Sequence, residues 1–259
     1  MAAQRPERPL SDRRHLMITG GSRGIGAAVC RLAARDGWNV SLTYRSDATA
    51  AAGVVADVQR AGARALSMRA DVSDEAALAS AFARSVAVLG PLEGLVINAG
   101  MLGPSGTLLD LTAERIRRTV DVNVTGAILT ARDGARSMAL SKGGTGGTMV
   151  VVSSTAARIG SPNEFVDYAA SKGAMDTLTL GLSKELAAEG IRVNAVRPGL
   201  IETAIHADAG VPDRVARLSS VVPMGRGGTA EEVAETILWL LSPAASYVTG
   251  AIVDVAGGR

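Results

Sequence analysis

"TGGSRGIG" at Thr19–Gly26 decides the fold through what stands on either side of it. The apolar run "HLMITG" (15–20) leads in as a strand, and an Ala-rich stretch from about Gly24 to Asp36 leads out as a helix. Glycine at a strand–helix junction lets the chain reverse tightly. It also lets an anion approach the backbone N–H groups that a helix leaves unpaired at its N-terminus. Gly20, Gly24 and Gly26 are spaced G-x3-G-x-G, not the G-x-G-x-x-G of the common dinucleotide fingerprint, so context carries the reading.

Working outward, short apolar runs keep alternating with longer helix-like stretches. "NVSLTY" (39–44), "RALSMRA" (64–70), "LEGLVINA" (92–99), "TMVVVSS" (148–154), "IRVNAVR" (191–197) and "AIVDVA" (251–256) read as six further strands. Helices are predicted near 48–61, 74–88, 112–140, 165–189 and 229–241. Seven strands separated by helices predict an α/β fold, a doubly wound parallel sheet with helices on both faces. No linker or shift in composition divides residues 15–259, which are expected to form one domain. Residues 199–228 are irregular for their length, as a binding loop would be.

Composition narrows the function. The 259 residues are 47% hydrophobic and 20% charged, with a net charge of +2. The sequence pI of 9.0 reflects a slight surplus of bases. Aromatic content of 3% and the lack of a basic stripe leave no surface for stacking bases, so nucleic-acid binding is not expected. Cys30, the single cysteine, excludes an internal disulfide and reads as a buried helical thiol in a reducing compartment. His15 and His206 lie too far apart in sequence to suggest a metal cluster. Residues 1–14 carry no secretory signal and are expected to be a disordered basic extension. With no run of about 18 apolar residues to span a membrane, a cytoplasmic protein is expected.

"DYAASKG" (167–173) places Tyr168 and Lys172 one helical turn apart, on one face. A phenol titrates near ~10, and a neighbouring ammonium should favour its ionised form, bringing the tyrosine towards useful acid–base chemistry. At the end of the second strand, "TYRSD" puts Arg45 where an NAD-selective site would carry an acid for the ribose hydroxyls. With Arg23 inside the glycine loop, two guanidiniums suit a ribose 2′-phosphate and favour NADP(H) over NAD(H), although Asp47 lies close by.

From about Leu16 to Gly258 the chain resembles the short-chain dehydrogenases/reductases. "TGGSRGIG", "ADVSD" (70–74), "NAG" (98–100), "VNVTG" (122–126), "VVSS" (151–154), "YAASK" (168–172) and "RPGLIET" (197–203) stand in that family's order. The resemblance implies a Rossmann-type sheet of order 3-2-1-4-5-6-7 with a crevice at the carboxyl ends of the strands. It implies Ser154, Tyr168 and Lys172 as the catalytic set, with Asn123 supporting a water chain to Lys172. To the cofactor it assigns Gly20, Ser22, Arg23, Gly24 and Ile25, then Arg45 and Ser46. Asp71 and Val72 would meet the adenine, and Asn98, Ala99 and Gly100 would form the wall beside it. Tyr168 and Lys172, with Pro198, Gly199, Ile201 and Thr203, would face the nicotinamide end. Fourteen residues separate Ser154 from Tyr168; the family often has one fewer, which would point to Thr155, but the strand-end "SS" favours its second serine.

The expected reaction is hydride transfer between nicotinamide and a carbonyl or secondary alcohol, with reduction of a ketone or 3-oxoacyl compound foremost. A sugar or polyol dehydrogenase, like the bacterial glucose 1-dehydrogenase group, is the alternative, and a non-catalytic NADP(H)-binding regulator is the third reading. Met101, Leu102, Arg158, Ile159, Phe165 and the loop around Ile205–Val222 are expected to border the substrate. The small residues Ala169, Gly173, Thr177 and Gly181, four apart, would suit either packing on the sheet or a helix interface between subunits; the resemblance favours a homotetramer.

Overall fold

The computed structural model describes residues 13–259. The disorder expected of residues 1–12 falls outside the described residues. Arg13 and Arg14 are engaged: Arg13 donates to the Gly62 carbonyl at 2.9 Å, and the Arg14 guanidinium lies 3.9 Å from the centre of the Trp38 ring.

The chain opens with β1 (His15–Ile18), α1 (Gly24–Arg35), β2 (Asn39–Tyr44), α2 (Ala48–Arg60), β3 (Ala65–Arg69), α3 (Glu75–Leu89) and β4 (Leu92–Ile97). It continues through α4 (Ala113–Val120), α5 (Gly126–Met138), β5 (Gly147–Val152), α6 (Ala156–Ile159), α7 (Val166–Glu185) and β6 (Ile191–Pro198). It closes with α8 (Ile205–Asp208), α9 (Arg214–Leu218), α10 (Ala230–Leu241) and β7 (Ile252–Val255). The strands form one parallel sheet of order β3-β2-β1-β4-β5-β6-β7.

Alternate side chains on each strand enter opposite cores. Leu16, Ile18, Val96, Val150, Val152 and Val196 pack with α1 and α10. Their neighbours Met17, Leu95, Ile97, Met149, Val151 and Ala195 pack with α3, α5 and α7. Burial on both faces explains the apolar runs of the central strands β1, β4 and β5, and hydrophobic contact on both sides fixes their register. Side chains cap several helices: Asp47, Asp74 and Thr112 each accept the N–H three residues on, and Thr229 and Glu232 form a reciprocal box. At α1 no side chain caps the first turn, so its N–H groups remain free for a ligand.

Two expected helices differ. The stretch expected as one helix over 112–140 is interrupted by a π-turn at Asp121–Thr125, where Asn123 is held by hydrogen bonds from outside the helix. No apolar period signals a single widened turn. The stretch expected over 165–189 stops at Glu185 and continues as a 3₁₀ turn.

His15 gives the fold a pH dependence. Its ring bonds the Gly90 carbonyl at 3.0 Å and the Ser41 hydroxyl at 2.8 Å. Burial pushes it down to about 4, the Gly90 bond opposing and the Arg64 charge adding. The unfolded chain takes up this proton near the ordinary ~6.5 while the folded chain refuses it, so stability present above that pH is lost as pH falls towards 4, by up to about 3 kcal/mol. Chemical denaturation at stepped pH should show this loss in the wild type and a smaller one in His15→Gln.

Candidate active site

The sheet order reverses between β1 and β4, and loops on its two sides part there to leave a crevice beyond the strand ends. A cavity of about 560 Å³ fills it. Every residue that the sequence assigns to the cofactor lines this cavity, as do Ser154, Tyr168 and Lys172.

The first turn is shaped by close contact. Gly20 and Gly24 have φ of 66° and 53°, conformations that cost a side-chain residue. A Cβ on Gly26 would lie 2.5 Å from the Gly20 carbonyl oxygen and 2.6 Å from Asn98 Nδ2. Asn98 Nδ2 itself donates to the Thr19 and Gly20 carbonyls at 2.9 and 3.0 Å, tying the end of β4 to the turn. The result is a bare backbone cradle at the free N-terminus of α1, which fits a dinucleotide pyrophosphate. Cys30 lies under this turn, fully buried, and burial pushes its thiol up to about 12, as a structural residue.

At the adenosine end, Arg45 and Ser46 line the cavity after β2. Arg23 lines it too, but pairs with Asp208 of α8 at 3.1 Å. Burial would raise the Asp71 carboxyl, but hydrogen bonds from Arg118 and Ser73 hold it down to about 2. Arg118 had no signal in the sequence; it reaches Asp71 from α4.

At the other end, α7 carries Tyr168 and Lys172. Its first turn is fixed by Asp167, which takes two hydrogen bonds from Arg115 at 2.9 Å and one from Thr119 at 3.2 Å. Lys172 is buried, and its Nζ donates to the Val152 carbonyl at 2.7 Å. Burial pushes this amine down to about 8, with Asp176 opposing. Beneath it, Ser153 donates to the Lys172 carbonyl at 3.1 Å and to Asp176 at 2.7 Å, and Arg197 holds the other Asp176 oxygen at 2.7 Å.

The expected lowering of the Tyr168 pKa by Lys172 is corrected by this geometry. The Lys172 ammonium is bonded to Val152 and lies 5.6 Å from the centre of the Tyr168 ring, and the net shift of the phenol is upward. Burial raises the Tyr168 pKa, while a hydrogen bond from Ser154 and the charge of Arg214 oppose it. Thr155 is buried with its hydroxyl on the Pro198 carbonyl at 3.4 Å, so of the two neighbours Ser154 faces the tyrosine. The longer loop before Tyr168 is taken up by Ser161 and Asn163, both with positive φ.

Asn123 is not at the cavity wall. Its Oδ1 accepts from Met101 N–H at 2.8 Å, while its Nδ2 donates to the Met101 carbonyl and the Ser171 hydroxyl, both at 3.0 Å. The side chain thus braces the loop that carries Gly100 and Met101. Of the expected substrate-side residues, Met101, Leu102, Ile159, Phe165 and Ile205 line the cavity. Arg158 does not: it pairs with Asp254 of β7. The bases at this end are instead Arg214, Arg259 and His206, which sit in or beyond an irregular loop where no motif marks them. Among the described residues no group of His, Cys, Asp and Glu could hold a metal ion, and no helix is long and apolar enough to cross a membrane.

This crevice, on this sheet, defines a Rossmann-type oxidoreductase. A family model described as "Enoyl-(Acyl carrier protein) reductase" matches residues 20–259. An uncharacterized oxidoreductase of Escherichia coli, YgfF, is 53% identical over 94% of this chain and 98% of its own. Among solved structures, a short-chain dehydrogenase from Burkholderia cenocepacia in complex with NADP is 34% identical, with a TM-score of 0.85 over 95% of this chain and 97% of that one. A 3-ketoacyl-(acyl-carrier-protein) reductase from Brucella melitensis complexed with NADH is 31% identical, with a TM-score of 0.87 over 95% and 98% of the two chains. The chain belongs to the short-chain dehydrogenase/reductase family.

Proposed function

We propose that the chain is an NADP(H)-dependent reductase of ketones or 3-oxoacyl compounds, with Tyr168 as the proton donor. The observation that carries this reading is that Ser154 and the half-buried Tyr168 line one end of a cavity whose other end is a backbone cradle for pyrophosphate. A bound nicotinamide would supply the hydride. Tyr168, a phenol and so protonated at neutral pH, gives its proton to the carbonyl oxygen as charge develops there. The Ser154 hydroxyl orients that oxygen. Lys172, whose amine titrates near 8, is placed to return a proton after each turnover. Asn123 contributes by bracing Met101 and Gly100 rather than by a side-chain link to Lys172.

Selection of the cofactor rests on Arg45. One solved relative holds NADP and the other NADH, so the family does not decide it. Arg23 shares its charge with Asp208, whereas Arg45 offers a guanidinium beside the ribose position with Ser46 next to it. Arg45→Ala is expected to lower the preference for NADPH over NADH by about tenfold or more, read from the two dissociation constants; an unchanged ratio would remove Arg45 from the argument.

The mostly apolar lining favours a ketone or 3-oxoacyl group over a free sugar, and turnover of acetoacetyl thioesters and simple ketones against glucose with NADP⁺ separates the two. For assembly, Gly173 and Gly181 meet nothing within 4 Å of an added Cβ, and Leu180 is exposed. Ala169 is buried, but from Gly173 to Gly181 that stripe of α7 faces outward rather than onto the sheet, which supports a homotetramer. Light scattering should then give a mass near four chains, and a stable monomer would end that reading.

A further inference from the structure

We propose that the substrate end of the cavity is built to take a carboxylate, held by Arg214, so that the carbonyl compound reduced here is an oxo acid; this rests on the reductase reading above and deepens it. Arg214 is only 8% exposed, yet it lines the cavity together with Ser154 and Tyr168. A buried guanidinium stays charged at any ordinary pH and must be compensated. Its Nε and Nη2 both donate to Glu164 Oε2, at 3.0 and 2.7 Å, and its plane lies 5.3 Å from the centre of the Phe165 ring. These contacts fix the guanidinium and do not use Nη1.

Glu164 does not neutralise this end alone. Its second oxygen accepts from Arg217 at 2.9 Å, and Arg259, also at the cavity wall, feels the charge of Arg214. Glu164 is thus shared between Arg214 and Arg217, and its charge is divided between them.

His206 gives an independent observation. It is 7% exposed and lines the same cavity. Its Nε2 is 3.2 Å from the Ile201 carbonyl, an acceptor, so the proton sits on Nε2 and Nδ1 presents a lone pair. That Nδ1 is buried without a partner. A hydrocarbon against this wall would leave it unsatisfied near a guanidinium whose Nη1 edge the Glu164 pair does not use. A carboxylate accepting from Arg214 takes up the guanidinium edge that Glu164 leaves unused, at the wall that holds the buried Nδ1. The carboxylate is a spectator in the reaction: the carbonyl π bond is replaced by a C–H bond from the hydride of NADPH and an O–H bond from Tyr168. The cofactor leaves oxidised by two electrons and the acid group leaves unchanged.

The test measures NADPH oxidation with acetoacetate, levulinate and 7-oxooctanoate, each beside its carboxamide. Wild type is compared with Arg214→Lys and with Arg214→Gln/Glu164→Gln, which keeps a hydrogen-bonded pair and strands no buried charge. The readout is the ratio of kcat/KM for acid over amide, because the field of Arg214 also acts on Tyr168 and that effect cancels in the ratio. Wild type is expected to favour at least one acid by about 10- to 100-fold, the range of a hydrogen bond to a charged group. The lysine variant should keep most of that preference, and the double variant should bring the ratio within about threefold of unity. Calorimetric titration of the same acids and amides into protein carrying NADP⁺, where no reduction can occur, should show the same gap in Kd. Ketones reduced with no acid preference, or a preference that survives in the double variant, would overturn the carboxylate site and leave the reductase standing. No Tyr168-dependent reduction of any carbonyl would overturn both.

Discussion

Tyr168→Phe is expected to lower kcat for carbonyl reduction by about a thousandfold or more, with NADPH affinity changed by less than about threefold. The substitution removes one oxygen and leaves the ring, so α7 keeps its packing and Lys172 keeps its bond to Val152. What disappears is the phenol hydroxyl that lies with Ser154 at the end of the cavity. The pH profile should corroborate the loss. Because burial raises the phenol's pKa, the wild type presents the acid form throughout the neutral range and its reduction rate should fall only on the alkaline side. Lys172, at about 8, would begin that fall. Near-normal turnover in the phenylalanine variant would mean that another group delivers the proton, and the role of α7 would have to be redrawn.

The pairing of Tyr168 with Lys172 shows where a sequence can be read and where it cannot. Spacing puts both on one helical face, and that much follows from helical geometry. It does not say which way the lysine turns. Val152 offers a carbonyl at the end of β5, from a strand whose position is set by pairing with β4 and β6, and the ammonium goes there. A second cation whose charge favours the ionised phenol, Arg214, comes from α9, more than forty residues away. The central strands were legible because two-sided burial writes an apolar run into β1, β4 and β5. Arg214 and His206 were not, since α8 and α9, which carry them, are too short to show a helical period. Asn123 was found by resemblance, but its work of bracing Met101 depends on a widened turn that leaves no mark in the residues around it.

Gly26→Ala is expected to damage stability and cofactor binding together. The added methyl would sit 2.5 Å from the Gly20 carbonyl oxygen and 2.6 Å from Asn98 Nδ2, and neither can retreat freely. Gly20 belongs to the turn itself. Asn98 is held by its two bonds to the turn, while its own N–H and that of Ala99 donate to Thr19 Oγ1 at 3.1 and 3.2 Å. Relief requires α1 to move off the end of β4, breaking the ties that shape the cradle. Overpacking of this kind costs about 1–3 kcal/mol or more, a fall of about 3–10 °C in Tm for a chain of this size. NADPH affinity should fall by more than about tenfold, because backbone N–H groups must meet the pyrophosphate within hydrogen-bond reach. Gly53→Ala is the matched control: this residue lies in α2 with nothing within 4 Å of an added Cβ, and should raise stability by up to about 1 kcal/mol through helix propensity alone. If Gly26→Ala kept both wild-type Tm and wild-type affinity, close approach of backbone would not be why the glycine is there, and the link between the first turn and the cofactor would rest on Gly20 and Gly24 alone.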